Sequence, residues 1–388
     1  MSFELGINYW PRSRAMYLWR EYDAGEVKDD MARIADLGFD VVRFFALAQD
    51  FLPERGRVSA PAVERLVETV RAAGEAGIQA MPTLVVINMS GWMWWPDWMR
   101  DAANRPLDLY GDQGALSAQE TLVETCARAL AGGRSVRALD IANEIDGAQV
   151  PGSREAGRSW IARMTAAARR GAPGVPVQVG AHLPSLAAAN NMRVDDIAAH
   201  ADEDVMHAYP LYSDAARSPL DPELVPFSCA LTAGLAGRGA VLMQEFGLPT
   251  APPGQAGHTF EDDFLGQRMP QYLASEDDGA RYYDEVLERL VATGAAGAYA
   301  WCYADYDPRL FDRPPLHRAI RERSFGLLRA DGSEKPAAEV FRRWRRRRDE
   351  GALTQGAVPE ILDVAADEYY ADPSRHFRRL YARWLEDH

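Results

Sequence analysis

Residues 5–45, LGINYWPRSRAMYLWREYDAGEVKDDMARIADLGFDVVRFF, hold one complete strand–helix–strand unit. Leu5–Tyr9 and Val41–Phe45 are short apolar runs of the kind that form buried strands. Between them Val27, Met31, Ile34 and Leu37 recur at helical spacing, and Gly38 follows as a C-terminal stop. The alternation continues to residue 348, uninterrupted by a Pro/Gly/Ser-rich linker or a fixed-period repeat. Further strands are expected at Gln79–Ile87, Ala138–Ala142, Val177–Gly180, Val205–His207, Ala240–Gln244 and Gly297–Trp301. A second helix is expected to bury Val63, Leu66, Val67 and Val70 before Gly77. Strands that alternate with helices imply βαβ units and a parallel sheet. Eight such units predict an α/β fold, a (β/α)8 TIM barrel over residues 1–348, rather than an open doubly wound sheet.

Residues 349–388 carry Ile361, Leu362, Val364, Tyr369, Tyr370, Phe377, Leu380, Tyr381 and Trp384, too many apolar groups for a disordered tail. A C-terminal extension is expected there, packed on the barrel or on a partner subunit, which leaves a homo-oligomer open. The whole chain, 388 residues and 47 % hydrophobic, is enough for a sizeable core.

Composition excludes several functions. A net charge of −14 opposes binding to nucleic acid or to an anionic membrane surface. The basic run Arg342–Arg348 is expected to be a solvated helix end instead. No apolar stretch approaches the ~18 residues of a membrane span, and MSFELGINYW lacks a signal-peptide pattern, so a cytoplasmic protein is expected. Cys126, Cys229 and Cys302 form no C-x-x-C, which disfavours a disulfide framework or a structural zinc. Lys28 and Lys335, both read as helical, leave no lysine at a strand end for Schiff-base chemistry. Phosphate loops, dinucleotide fingerprints and nucleophile elbows are missing, and no H-x-H pair supports a metal. No metal and no cofactor is expected.

In such a barrel the residues just past each strand face the active site. They are Asn8 and Tyr9, Arg43, Asn88, Asn143 and Glu144, His182, His207 and Tyr209, Glu245, and Trp301. Glu144 after LDIAN and Glu245 after AVLMQ each end an apolar run that would bury a carboxylate at the barrel mouth, and burying two unpaired carboxylates is costly enough to signal function.

This set resembles the retaining β-glycosidases of glycoside hydrolase clan A, family 5. The matching residues are Arg43 in VVRFF, Asn143-Glu144 after strand four, His207-Ala208-Tyr209 after strand six, Glu245 in QEFG and Trp301. One departure is Asn88, where family 5 enzymes often carry histidine after strand three. The resemblance implies that Glu144 is the acid/base and Glu245 the nucleophile, with carboxyls ~5–5.5 Å apart. Arg43 and Tyr209 are suited to hold Glu245 ionised, while Glu144 is expected to be raised and protonated. Asn143 can bond the 2-hydroxyl of the sugar.

The run Ser90–Trp98 places Trp92, Trp94 and Trp95 in the loop after strand three, where they could form a sugar-stacking platform or pack within the loop. Trp10, Trp19 and Trp301 add to the aromatic lining, with Trp301 as the floor. Asp305, Asp307 and Asp312 could meet sugar hydroxyls or a cation, or form a solvated loop. GINYWP, DVVRFFALAQDFLP and NMSGWMWWP further resemble the intracellular exo-β-mannosidases of family 5. That implies an oligosaccharide substrate trimmed at a terminal β-linked mannose, in a pocket walled by the loops after strands one, three and eight. Endo-β-1,4-mannanase and β-glucosidase or cellulase activity, or a non-catalytic carbohydrate-binding barrel, stay open.

Overall fold

The computed structural model describes residues 3–264 and 266–387. Eight parallel strands run β1 (Glu4–Asn8), β2 (Val41–Leu47), β3 (Gln79–Val86), β4 (Leu139–Asn143), β5 (Val177–Gly180), β6 (Val205–His207), β7 (Leu242–Phe246) and β8 (Gly297–Ala300). Their order is β5-β4-β3-β2-β1-β8-β7-β6. The two ends of that sheet meet where the His207 N–H donates to the Ala181 carbonyl at 2.8 Å, which closes a TIM barrel. Strand β7 runs two residues further than its apolar pattern implies, because Phe246 pairs with Ala300 of β8. Glu245 therefore sits inside a strand rather than past it.

Each strand is followed by a helix, and local chemistry sets the boundaries. Asp23 caps Ala24–Asp36 through the N–H groups of Gly25 and Glu26, and Val27, Met31 and Ile34 face inward. In Ala60–Glu75 the buried face runs through Leu66, Thr69 and Val70, whereas Val67, expected inside, is 38 % exposed. The last barrel helix, Pro336–Asp349, carries the arginine run. Arg342, Arg343, Arg345, Arg346 and Arg348 all pair with carboxylates, among them Glu334, Asp284, Asp40 and Glu339. Lys335 lies just ahead of that helix rather than inside it. Its buried ammonium donates to Asp305 Oδ1 at 2.7 Å and Thr250 Oγ1 at 2.9 Å.

The apolar groups of the C-terminal extension are spent within the same chain. Helices Ala366–Ala371 and Pro373–Asp387 pack on the barrel's outer face, with Phe377, Tyr381 and Trp384 against Phe227. Tyr369 OH donates to Leu186 O at 2.8 Å, and Tyr370 OH donates to Ser185 O at 3.1 Å, which ties this extension to the loop after β5. Among the described residues no helix is long and apolar enough to cross a membrane.

Candidate active site

Arg43 organises the floor of the barrel mouth. It is fully buried on β2, and each of its guanidinium nitrogens has an acceptor. Nε and Nη2 donate to Asp140 Oδ2 at 3.0 and 2.8 Å, Nη2 to Asn143 Oδ1 at 2.9 Å, and Nη1 to Asn8 Oδ1 at 3.0 Å and to Glu245 Oε1. Burial works against the charge, but Asp140 and Glu245 outweigh it and raise the Arg43 pKa. Tyr209 OH donates to Glu245 Oε2 at 2.9 Å, and burial, with Glu245 beside it, keeps the phenol protonated. Glu245 therefore has a donor on each oxygen and presents its remaining lone pairs to the cavity.

Glu144 ends β4 in a left-handed conformation, φ 45° and ψ 49°, which is costly for a non-glycine residue and is held by its surroundings. His207 Nδ1 lies 2.9 Å from Oε1. Asn88 Nδ2 and His182 Nδ1 both lie 3.5 Å from Oε2. Burial pushes this carboxyl up, but the two imidazoles, His182 first, outweigh burial and hold it below the usual carboxylate range. This runs against the expectation of a raised, protonated Glu144, because two imidazoles that strand-end reading did not pair with it face its carboxyl.

The orientation of His207 follows from the far end of the barrel. Glu203, paired with Arg137 at 3.0 Å, can only accept, so Gln178 must turn its amide N–H₂ toward it. The Gln178 carbonyl then accepts from Gln244 Nε2 at 2.9 Å, and Gln244 Oε1 faces His207 Nε2 at 2.9 Å. That nitrogen must carry the proton, which turns Nδ1 toward Glu144 Oε1.

The ligand-accessible atoms of Glu144, His207 and Glu245 lie within 4.8 Å of one another. They could share a cation by distance alone, but the Arg43 guanidinium already supplies the positive charge at Glu245 Oε1. The cavity above them is about 380 Å³ and is lined from the loops after β3 to β8. Trp301 is among the residues that line it, backed edge-on by Phe45 at 5.7 Å, and Phe45 is in turn stacked on Trp10 at 5.5 Å.

Arg43, Asn143, Glu144, His207, Tyr209, Glu245 and Trp301 thus converge, with Asn88 at the rim. The tryptophans of the β3 loop do not. Trp94 and Trp95 are buried away from the cavity, with Trp94 Nε1 donating to Met89 O at 3.3 Å, while Trp92 meets His317 edge-on over an adjoining hollow. The reason is the turn: Asn88–Met89 pairs with Trp92–Met93 around Ser90 and Gly91, both at positive φ, so the turn tip enters the cavity and the indoles point away. A Cβ on Gly91 would stand 3.0 Å from Arg321 Nη2. Trp10 and Trp19 are also core residues, and the loop after β1 contributes no lining residue among those described. Asp305 is taken by Lys335, and Asp307 caps its own turn.

Sequence reasoning passed over several residues of the site. Asp140 was detectable as an acid inside an apolar strand. His182 was placed at the barrel mouth by its strand end, but its pairing with Asp146 and Glu144 was not. Tyr212, Arg321 and Glu322 come from loops whose path no spacing reveals. Arg321 is fixed by Asp262 of the hairpin His258–Phe264/Gln267–Leu273, through Nη1 at 2.9 Å, and this pair builds the wall after β8.

No known protein-family model matches the chain, and no curated protein matches it in sequence. Solved structures do. GH5_18 from Streptomyces cattleya in complex with GlcNAc matches with a TM-score of 0.81 and 25 % identity, covering 98 % of this chain and 91 % of that one. A variant of the same protein in complex with Manβ1-4GlcNAc matches with a TM-score of 0.80 at 24 % identity, over 98 % and 92 %. An exo-β-1,4-mannosidase from Opitutaceae bacterium strain TAV5 matches with a TM-score of 0.75 at 25 % identity, over 91 % of this chain and 61 % of that one. The fold is that of the family 5 exo-mannosidases.

Proposed function

We propose that this protein is a retaining exo-β-mannosidase that releases terminal β-linked mannose from short oligosaccharides. The observation that carries the reaction type is the spacing of Glu144 and Glu245. One oxygen of each carboxyl lies within 4.8 Å of the other, an approach that fits the ~5–5.5 Å carboxyl separation of a retaining enzyme better than the ~6.5–9.5 Å of an inverting one. Glu245, whose two oxygens accept from Arg43 and Tyr209, attacks the anomeric carbon as Glu144 protonates the departing oxygen. Glu144 then takes a proton from water, which displaces Glu245. Asn143 is held through Oδ1 by Arg43 and through Nδ2 by the Asn88 carbonyl at 3.2 Å, and its second amide N–H can meet the sugar 2-hydroxyl.

Exo action on a short substrate is supported by cavity size. About 380 Å³ lies at the low end of the ~300–1,000 Å³ typical of ligand sites. The walls after β3 and β8, with the turn at Ser90-Gly91 against Arg321 and Glu322, limit one end. The mannose preference follows the resemblance and the sugars bound by the similar structures.

The test is a panel of 4-nitrophenyl β-mannoside, β-glucoside and β-galactoside, followed by mannobiose against long mannan. Fastest turnover of the mannoside, with mannose as sole product and the β-anomer formed first by NMR, is expected. Preference for glucoside would change the sugar, random cleavage of mannan would make the enzyme endo-acting, and initial α-mannose would overturn retention.

A further inference from the structure

Glu144 faces two imidazoles through Nδ1, and their Nε2 anchors differ. His207 is anchored by the neutral Gln244 amide, whereas His182 Nε2 lies 2.8 Å from Asp146 Oδ2. Asp146 is buried, and among the described residues no Arg or Lys pairs with it. Its other partner at Oδ2 is the Asn190 amide at 2.6 Å, and Oδ1 is buried without a hydrogen bond. A buried carboxylate without a cation is costly, and the one cation within reach is a protonated His182. The same imidazolium would turn its second N–H to Glu144. A Cβ on Gly147 would stand 2.6 Å from Asn88 Nδ2, so glycine there leaves room for the Asn88 amide beside Glu144. The loop carrying His182 is bound to the C-terminal extension by Tyr369 and Tyr370.

We propose that Asp146 and His182 form a proton-holding pair for Glu144, with His182 storing at Nδ1 the proton that Glu144 delivers to the leaving group. This rests on Glu144 being the acid/base. Before the glycosidic bond breaks, the imidazolium donates Nε2–H to Asp146 at 2.8 Å and points Nδ1–H at Glu144 Oε2, 3.5 Å away. As the C1–O bond breaks and the bond to Glu245 forms, the proton stored at Nδ1 passes through Glu144 to the departing oxygen, which leaves Glu144 ionised and Nδ1 unprotonated. In the second half, water adds to C1, its proton returns through Glu144 to Nδ1, and Glu245 leaves as the carboxylate. One water is consumed and the pair regains its proton. Burial opposes the charge on His182, but Asp146 and Glu144 outweigh it and hold the imidazole pKa well above its ordinary value. The titratable and charged groups facing the trio are His207, Tyr209 and Glu245 around Glu144 and Tyr110 near Asp146.

The experiment is the pH profile of kcat/KM for Asp146→Asn and His182→Gln on 4-methylumbelliferyl β-mannoside and on the 2,4-dinitrophenyl glycoside, beside Glu144→Gln. Loss of the last proton from the pair sets the alkaline limb, and Asp146 stabilises that proton, so both variants should move the limb to lower pH by about one unit. The poorer leaving group should lose roughly tenfold and the dinitrophenyl substrate much less, since only the former needs the acid. A merely structural role would lower both substrates together and leave the limb in place, which overturns the proposal. If Glu144→Gln itself spared the poorer leaving group, the acid/base assignment would fall instead. Should either variant misfold, the ¹⁵N signature of His182 in the wild type decides: both ring nitrogens protonated at neutral pH supports the pair, and a neutral imidazole overturns it.

Discussion

The two ends of this barrel each gather a cluster of charges, and they use it differently. At the amino end Arg137 donates to Glu4 Oε2 at 2.8 Å and Glu203 Oε1 at 3.0 Å, with Tyr299 OH also donating to Glu4. These side chains keep 20–33 % exposure, so water shares the load. At the carboxyl end Arg43 and Asp140 have none, while Glu245 and Glu144, both lining the cavity, keep 6 % and 18 %. The lesson is one of saturation. Ion pairs with water within reach add modest stability, whereas a sealed guanidinium with two carboxylates left facing a cavity holds hydrogen-bonding capacity for a ligand. Gln178 and Gln244 join the two clusters, so the passive end sets the tautomer at the active one.

The largest contrast should come from Glu245→Ala, which removes the nucleophile and is expected to slow every aryl glycoside by several orders of magnitude. Azide should then yield the α-glycosyl azide, whereas with Glu144→Gln it should yield the β-azide. Product stereochemistry by NMR reads both, and the reverse pattern would exchange the two roles.

Next comes a matched pair. Arg43→Met leaves Asp140 as an uncompensated buried charge, a loss of about 3–5 kcal/mol by denaturant titration, with kcat/KM down roughly 10²–10³-fold. Arg137→Met, at the watered end, should cost about 1 kcal/mol and leave kcat/KM within about threefold. Equal losses of activity in the two would break the comparison.

A smaller effect is expected from Gln244→Leu, which severs the link between the ends. His207 can then exchange tautomers, and kcat should fall about tenfold, as for other partners that orient a catalytic imidazole. The ¹⁵N shifts of His207 would register the change even if the rate did not. Smallest of all should be Glu4→Gln, with a stability change under about 1 kcal/mol and unaltered turnover in the same assays.

All eight strands lie within two residues of their sequence-based positions, because buried parallel strands need continuous apolar runs and the helices between them need one apolar face; both are properties of consecutive residues. The residues at the strand ends were legible for the same reason, since a barrel's topology sends strand ends to one face. Asn143, Glu144, His207, Tyr209 and Trp301 follow from that rule, whereas Arg43 and Glu245 lie inside β2 and β7, one strand residue or more short of the end. What the indoles of Trp92, Trp94 and Trp95 face was not legible, since the same residues at the same spacing suit a platform or a core, and the turn at Ser90-Gly91 selects the second. His182 and Asp146 are 36 residues apart, and the Glu203–Gln178–Gln244–His207 chain spans three strands. Local sequence carries periodicity and chemical type, which suffice for the barrel and its carboxylates. Which proton faces Glu144 is decided by directions of donors and acceptors that exist only once distant strands are side by side.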